Sequence, residues 1–298
     1  MLATVAAIAL SQSSADLSLV ARQAADAAVA KFTGKKVAPD QLGITLVRID
    51  RATKTWVLGS YRGDVAMYPA SVVKMFFLAY AHRQMEDRKV RLTPELERGL
   101  KDMIVDSSND ATALVVDATT STTGGAELPP RELARWMDRR QAMNRWFASL
   151  GYPKLNACQK TWNEGPYGRE RQGYGPNFEL RNSLSPDVCA RLMAEIALDK
   201  VVSPARCADM RKLLARTIPA EGEADYQSRA FVGKVLPKGF RLHSKAGYTD
   251  SVRHDVAHVT APDGREYVFA IFTKGQSNTP DLIPSIASDL LKALKLVA

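Results

Sequence analysis

The sequence has few of the residues that build disulfide scaffolds or metal centres. Its 298 residues include four histidines and three cysteines, which are Cys158, Cys189 and Cys207. No two of these cysteines are close enough in sequence for the ligand spacing of a zinc site. We expect three small buried side chains, and a Cys189–Cys207 disulfide stays open as an alternative in an oxidising compartment. No metal ion or other cofactor is expected.

Several motifs that would define other classes of enzyme are also missing. There is no Gly-x-Ser-x-Gly elbow, which argues against an α/β-hydrolase triad, and no Gly-rich phosphate loop. His254 and His258 share one face of a predicted strand but lie in no metallohydrolase motif, so we expect them to be structural. Beyond residue 10 the chain has no apolar run long enough to cross a bilayer, and no stable membrane insertion is expected.

What the composition does contain is typical of a folded globular protein. Hydrophobic residues make up 46% and charged residues 24%, which excludes a mainly disordered chain. The 41 basic residues exceed the 32 acidic ones, and the net charge of +9 favours anionic partners. These charges are spread along the sequence, so a nucleic-acid partner is not expected. We expect a monomer.

The first 15 residues resemble a segment for export. A nine-residue apolar run at 2–10 is followed by Ser-Gln-Ser-Ser-Ala, which suits a signal-peptidase site ending at Ala15. The basic region that usually precedes such a run is missing, so an ordinary helix remains the alternative. We predict a signal peptide at 1–15 and a periplasmic or secreted protein.

Hydrophobic periodicity predicts strands near both ends of the chain and helices between them. The predicted helices are 18–32, 71–85 and 280–296, and the predicted strands are 43–50, 55–60, 240–246, 253–260 and 266–273. The region up to about residue 215 is mostly helical, with polar loops at 119–130 and 161–182. The fold class is therefore α+β, an α/β sandwich. One antiparallel sheet, flanked by terminal helices, comes from residues 16–70 and 225–298, and an all-helical subdomain is inserted at 71–224.

Three short motifs carry groups suited to nucleophilic catalysis. Ser71 and Lys74 lie one turn apart at the start of a predicted helix, where free backbone N–H groups stabilise an oxyanion. A lysine amine that burial keeps neutral can take the hydroxyl proton. Ser107 and Asn109 form a Ser-x-Asn motif, and a Lys-Ala-Gly motif begins at Lys245 in a predicted strand. Each motif is common by itself, whereas the ordered set is specific.

This ordered set resembles the serine β-lactamases and penicillin-recognising enzymes, class A in particular. The Tyr-Pro-Ala-Ser run at 68–71 resembles the approach to that family's nucleophile. The Arg-Asn-Ser-Leu-Ser-Pro run at 181–186 resembles the end of the class A Ω-loop and the helix that follows. The similarity covers about residues 18–296.

The resemblance implies a reaction and a role for each matching residue. Ser71 attacks the carbonyl of a lactam or peptide, with Lys74 as base or proton shuttle. Ser107 passes a proton to the leaving nitrogen, and Asn109 binds the side-chain amide of the substrate.

It also implies a substrate-binding strand. The backbone N–H groups of Ser71 and Tyr248 form an oxyanion hole. Lys245 and Arg253 bind the substrate carboxylate, the arginine as a bidentate fork. Ala246 departs from the usual Thr or Ser and removes a hydroxyl, for which Thr249 or Arg253 would compensate. The residues predicted to bind substrate from this region are Lys245, Ala246, Gly247, Tyr248 and Arg253.

A second departure concerns the base that releases the acyl group. Class A enzymes use the glutamate of a Glu-x-x-Leu-Asn run, and this chain has no such run. Alignment on Trp162 places Asn163 at the glutamate position and Glu164 one residue later. Glu164 is our candidate base, because a general base must reach its water. Glu170 and Glu179 are the alternatives.

A third departure is the segment at 119–130 and the arginine-rich stretch after it, which look like an insertion. We expect a solvated basic helix face there, with contact to an anionic cell-wall polymer as the alternative. The arginines concerned are Arg131, Arg135, Arg139, Arg140 and Arg145.

Three functions are compatible with these sequence features. The first is a serine hydrolase that forms an acyl-enzyme at Ser71 and hydrolyses the amide bond of β-lactams. The second is a D,D-peptidase or penicillin-binding enzyme of peptidoglycan metabolism, from which β-lactams are released slowly. The third is a non-catalytic module that binds β-lactams or cell wall on the same fold. The expected partner is a β-lactam or a peptidoglycan peptide.

Overall fold

The computed structural model describes residues 13–153 and 155–297. These residues form one β-sheet and a set of helices packed around it. Six strands form one antiparallel sheet in the order β2-β1-β6-β5-β4-β3. The strands are β1 (Leu42–Asp50), β2 (Thr55–Tyr61), β3 (Ala215–Arg216), β4 (Arg241–Tyr248), β5 (Val252–Thr260) and β6 (Glu266–Lys274). Both ends of the chain contribute to the sheet, as the sequence predicts.

Helices cover both faces of this sheet. The terminal helices α1 (Ser14–Lys31) and α10 (Leu282–Ala293) pack on the outer face. The helices of the middle of the chain lie on the inner face or beyond it. These are α2 (Lys74–Glu86), α3 (Pro94–Ile104), α4 (Asn109–Thr120), α5 (Pro130–Ser149), α6 (Gly168–Gln172), α7 (Pro186–Ala197), α8 (Pro204–Leu214) and α9 (Tyr226–Arg229).

Burial of both faces explains why the central strands read as nearly continuous apolar runs. In β1, Leu46 packs into the outer core and Val47 into the inner core, because successive side chains point to opposite faces. Phe269 and Phe272 of β6 divide between the two cores in the same way. The α+β fold class with an antiparallel sheet is therefore confirmed.

The first helix begins four residues earlier than the pattern predicts. Ser13 is its N-cap, and Ser13 and Asp16 form a reciprocal capping box that supports the extra turn. The Ser14 hydroxyl donates a hydrogen bond to Leu58 O of β2. A side chain at Gly59 would meet the α1 backbone, which explains how this helix approaches β2 so closely. Residues 1–12 of the predicted signal peptide lie outside the described residues.

Three further observations bear on the sequence predictions. The helix predicted from residue 71 begins at Lys74, and a 3-10 turn at Ala70–Val73 precedes it. Cys158, Cys189 and Cys207 are buried free thiols, so the alternative Cys189–Cys207 disulfide is not formed. Within residues 13–153 and 155–297, no helix is long and apolar enough to cross a membrane. The predicted boundaries between the sheet-forming part and the helical subdomain, at 70/71 and 224/225, stay a prediction.

Candidate active site

The 3-10 turn that carries Ser71 lies directly against strand β4. A Cβ built on Gly247 would come within 2.7 Å of Ser71 N and 2.8 Å of Pro69 O. Because real Cβ atoms do not approach that closely, only glycine fits at this position of the strand. Ala70, immediately before Ser71, has a left-handed backbone with φ +47°, a conformation that costs an alanine energy and is held by the surrounding packing.

A buried histidine of β5 holds the chain just before this turn. His254 Nε2 lies 2.9 Å from Tyr68 O, while its Nδ1 accepts a hydrogen bond of 3.1 Å from Thr273 N. Since the backbone N–H can only donate, Nε2 carries the proton and donates to Tyr68 O. Burial lowers the pKa of His254 to about 4, which keeps the ring neutral.

Lys74, in the first turn of α2, is fully buried and directed at the Ser-x-Asn motif. Its Nζ donates to Ser107 O at 2.5 Å and to Asn109 Oδ1 at 2.8 Å, and Ser107 Oγ lies at 3.3 Å. Burial lowers the pKa of Lys74 to about 7. The amine is therefore neutral in a substantial fraction of molecules near neutral pH, and a neutral amine can accept a proton.

Ser107 joins this lysine to a second one on β4. Lys245 Nζ lies 3.0 Å from Ser107 Oγ, and Lys245 is also fully buried. Burial and the nearby Lys74 hold the pKa of Lys245 well below its usual value. Ser107 itself is left-handed, with φ +58°, which turns its side chain between the two amines. The structure thus brings together Lys74, Ser107, Asn109 and Lys245 beside the Ser71 turn.

Two residues that sequence reasoning missed complete this cluster. Gln227 of α9 accepts a hydrogen bond of 2.5 Å from Lys245 Nζ and donates one of 2.7 Å to Val105 O. Arg216 of β3 donates to Ile104 O at 2.8 Å and lies 3.2 Å from Asp225 Oδ2. Both side chains tie the sheet edge to the end of α3, just before Ser107. Neither lies in a recognisable sequence motif.

The N–H groups of the last residues of β4 point alternately toward β5 and away from it. Thr249 N donates to Val252 O on β5, whereas Ala246 N points the other way, toward Gln227 Oε1 at 3.3 Å. Because backbone N–H groups alternate along a strand, that of Tyr248 points to the same edge as that of Ala246. Ser71 lies against the neighbouring residue Gly247, and an oxyanion hole formed by the N–H groups of Ser71 and Tyr248 stays a prediction.

Arg253 lies on the opposite face of the sheet from Lys245. It pairs with Tyr248, three residues from Lys245, so the two side chains point to different faces. Its guanidinium lies 4.1 Å from the centre of the Phe231 ring in the outer core and donates to Ala230 O at 2.9 Å. The structure does not bring Arg253 to the lysine cluster, and the role as carboxylate ligand that the resemblance implies stays a prediction.

Ala246 also faces the outer core, where its side chain is buried. The hydroxyl of a Thr or Ser at this position would lie on the outer face next to Asp255, the cross-strand partner of Ala246, rather than beside Lys245. The missing hydroxyl of this motif therefore removes no group from the lysine cluster.

The loop after α5 approaches the site through amide and hydroxyl groups. Asn109 Nδ2 donates to Asn163 Oδ1 at 2.7 Å, and Thr161 Oγ1 donates to Asn109 Oδ1 at 2.7 Å. Glu164 is exposed and lines a cavity of about 330 Å³ next to Asn109 and Trp162. In the part of the chain that is described, no carboxylate is hydrogen-bonded to Lys74, Ser107, Asn109 or Lys245.

The two alternative acids are engaged elsewhere. Glu170 is buried and binds Arg140 Nη2 at 2.6 Å and Lys160 Nζ at 2.8 Å. Asp117 contacts the same two cations, so the four charges balance. Glu179 is exposed and accepts a hydrogen bond from Asn177 N in its own loop. Arg140 is thus part of a buried ion cluster, and its predicted place on a solvated basic face is wrong.

The site consists of a serine on a tight turn that lies against β4, and two buried lysines joined by a second serine. No group of three or more His, Cys, Asp or Glu side chains that could hold a metal ion is found among residues 13–153 and 155–297. This fold is that of the β-lactamase and penicillin-binding serine hydrolase superfamily. The chain matches the model of the Beta-lactamase enzyme family over residues 24–294 and belongs to that family.

Solved structures of this type are similar to the chain over nearly its whole length. A β-lactamase from Sphaerobacter thermophilus is 21% identical, with a TM-score of 0.67 over 93% of this chain and 98% of its own. A variant of PBP-A, solved as an acyl-enzyme complex with penicillin G, is 19% identical, with a TM-score of 0.65 over 94% of this chain and 98% of its own. A class A β-lactamase from Bacteroides cellulosilyticus is 16% identical, with a TM-score of 0.63 over 91% and 97%.

The match to a curated protein covers a smaller part of both chains. Golvesin from Dictyostelium discoideum is 24% identical over 170 residues, which are 53% of this chain and 28% of that protein. The matched region thus spans less than a third of the length of this curated relative.

Proposed function

We propose that this protein is a serine acyl-transfer enzyme whose Ser71 opens β-lactam rings and keeps the acyl group for an extended time. The observation that carries this proposal is the contrast between a complete set of proton-transfer groups beside Ser71 and the lack of a carboxylate bonded to them. We propose a periplasmic or secreted location and a peptidoglycan peptide as the natural substrate.

In the proposed acylation, the neutral amine of Lys74 takes the proton of the Ser71 hydroxyl, and Ser71 Oγ bonds to the carbonyl carbon of the substrate. The developing oxyanion accepts hydrogen bonds from the N–H groups of Ser71 and Tyr248. The C–N bond then breaks. Ser107 donates its proton to the leaving nitrogen and takes one from Lys74, 3.3 Å away, so the proton of Ser71 is in effect delivered to the product.

Lys245 and Asn109, which lie next to the groups that transfer the proton, have separate roles in the proposal. Lys245, 3.0 Å from Ser107 Oγ, favours loss of the Ser107 proton and attracts the substrate carboxylate. Asn109 has its oxygen bonded to Lys74 and Thr161, and one N–H to Asn163. Its second N–H is directed to the side-chain amide of the substrate.

Slow release of the acyl group follows from the residue at position 163. Water must lose a proton to attack the ester, and the amide of Asn163 has no basic atom to accept it. A bound β-lactam would therefore act as an inhibitor, which fits a D,D-peptidase or penicillin-binding enzyme better than an efficient β-lactamase.

Efficient β-lactam hydrolysis is the second candidate function. The observation that favours it is that Glu164 shares a cavity wall with Asn109 and Asn163. In this alternative the exposed side chain moves along the cavity wall and brings its carboxylate to the acyl group.

Time-resolved intact mass spectrometry with penicillin G tests both candidates. We expect a stoichiometric adduct that decays over hours in the wild type and is absent in Ser71→Ala. Ser149→Ala, an exposed serine at the end of α5, is the matched control and should form the adduct normally. Rapid turnover without accumulation would favour efficient hydrolysis, and an adduct in Ser71→Ala would contradict the proposal. No adduct in the wild type would leave a non-catalytic binding module.

A further inference from the structure

A second cavity lies outside the candidate active site, between helices α2, α3 and α8. Its volume is about 550 Å³, within the range of pockets that bind small molecules. Its apolar wall is formed by Met85, Leu92, Pro94, Leu100 and Leu213. None of the residues assigned to catalysis or substrate binding above lines it.

One polar side chain in this wall has no partner in the protein. His82 of α2 is 3% exposed, and neither of its ring nitrogens makes a hydrogen bond within the described part of the chain. Buried polar side chains are nearly always hydrogen-bonded, so an imidazole with both nitrogens unpaired indicates a partner that the protein itself does not supply. Burial lowers the pKa of His82 to about 4, so its neutral ring offers one donor and one acceptor.

The charges around the cavity favour an anion. Four cations line it, against the two carboxylates of Glu97 and Asp209. Asp209 lies 3.1 Å from Lys212 and compensates that lysine. Arg98 and Lys101 of α3 take part in no ion pair that the described residues form, and with Arg206 they give the opening a positive surplus. The four cations are Arg98, Lys101, Arg206 and Lys212.

From these observations we propose that this cavity is a binding site for a small amphipathic carboxylate. Its carboxylate accepts a hydrogen bond from the neutral ring of His82 and is attracted by Arg98 and Lys101 at the opening, and its hydrocarbon or aromatic body fills the apolar wall. Saturated fatty acids of medium length and aryl carboxylates share this chemistry. The site is separate from Ser71, since His82 is eight residues along α2 from Lys74, about 12 Å at 1.5 Å per residue.

Calorimetric titration of the full chain with decanoate, below its micelle concentration, tests this site. We expect saturable binding of one decanoate per chain, and much weaker binding of decanol, which lacks the charge. The variant Arg98→Glu/Lys101→Glu should weaken decanoate binding by about tenfold or more. Arg131→Glu/Lys292→Glu changes the net charge by the same amount on exposed positions away from the cavity, and it should bind decanoate like the wild type.

His82→Phe keeps a ring of similar size and removes both nitrogens. We expect it to fold, to react with penicillin G normally, and to bind decanoate several-fold more weakly. Ser71→Ala should bind decanoate unchanged, which separates this site from the proposed acylation. Absence of saturable binding, or equal weakening by the Arg131→Glu/Lys292→Glu control, would overturn the proposal, as would equal binding of decanol.

Discussion

The two sides of the candidate active site are built in different ways. On the sheet side, Lys74, Ser107 and Lys245 are joined by hydrogen bonds of 2.5 to 3.3 Å, and the two lysines are fully buried. On the loop side, the approach to the same cluster is made by Asn163, and Glu164 is exposed. The sheet side holds groups that move a proton from a serine to a leaving nitrogen. The loop side lacks a positioned base, which separates bond formation from release.

The largest expected effect concerns the sheet side. Lys74→Met should lower the rate of acylation by penicillin G by about 10²–10⁴-fold, the usual contribution of a general base. Only the neutral amine accepts a proton, and the pKa of Lys74 is about 7. The wild-type acylation rate should therefore rise as the pH increases through about 7.

Rapid-quench mass spectrometry across this pH range measures both effects. Lys89→Met, an exposed lysine on the surface, should behave like the wild type. Near-normal acylation by Lys74→Met, or a rate that falls with increasing pH, would exclude Lys74 as the base.

Next in size is a change on the loop side. Asn163→Glu places a carboxylate where Asn163 now contacts Asn109, and we expect release of the penicilloyl group to accelerate by about 10²-fold. Glu164→Gln is the companion variant and should leave the release rate unchanged. Decay of the adduct by intact mass measures both. If Glu164→Gln slows release, Glu164 is the base and the contrast between the two sides disappears.

We expect the stability of the loop that carries Glu170 to depend on the buried ion cluster that Glu170 forms with Arg140 and Lys160. Glu170→Gln leaves Arg140 and Lys160 with a single carboxylate, that of Asp117. Breaking a buried pair in this way costs about 3–5 kcal/mol in the free energy of unfolding. Urea denaturation should show this loss, while exposed Glu179→Gln changes the stability by less than about 0.5 kcal/mol. Equal stabilities of the two variants would contradict a structural role for Glu170.

The smallest effect is expected at Arg253. Because its side chain packs on Phe231 in the outer core, Arg253→Lys should change the second-order rate of acylation by penicillin G by no more than about twofold. A loss of tenfold or more, absent with the methyl ester of the same penicillin, would instead show that Arg253 reaches the substrate carboxylate.

Much of this arrangement is predictable because it depends on local patterns. Alternating and continuous apolar runs locate the strands, and the order of three short motifs identifies Lys74, Ser107 and Lys245. The face on which Arg253 lies is not predictable from its spacing to Lys245. It depends on the register of β4 and β5, and a change of one residue in the turn between them would reverse it.

The positions of the other residues around the site depend on contacts between segments that are distant in sequence. Gln227 is an ordinary polar residue in sequence, and only the return of the chain near α9 places it against Lys245. Arg140 looks like one arginine among several on α5, yet its position turns it toward Glu170, 30 residues later. Burial of this kind follows from tertiary packing, which no short motif encodes.

The glycine at position 247 has a mechanical consequence. Since Ser71 and the strand touch backbone to backbone there, the sheet layer and the start of α2 cannot slide or tilt past each other without collision. The cleft floor is therefore rigid, and discrimination between small and bulky ligands must come from the exposed rims, such as the segment around Tyr167. Engineering of ligand preference should begin at those rims and leave the floor intact.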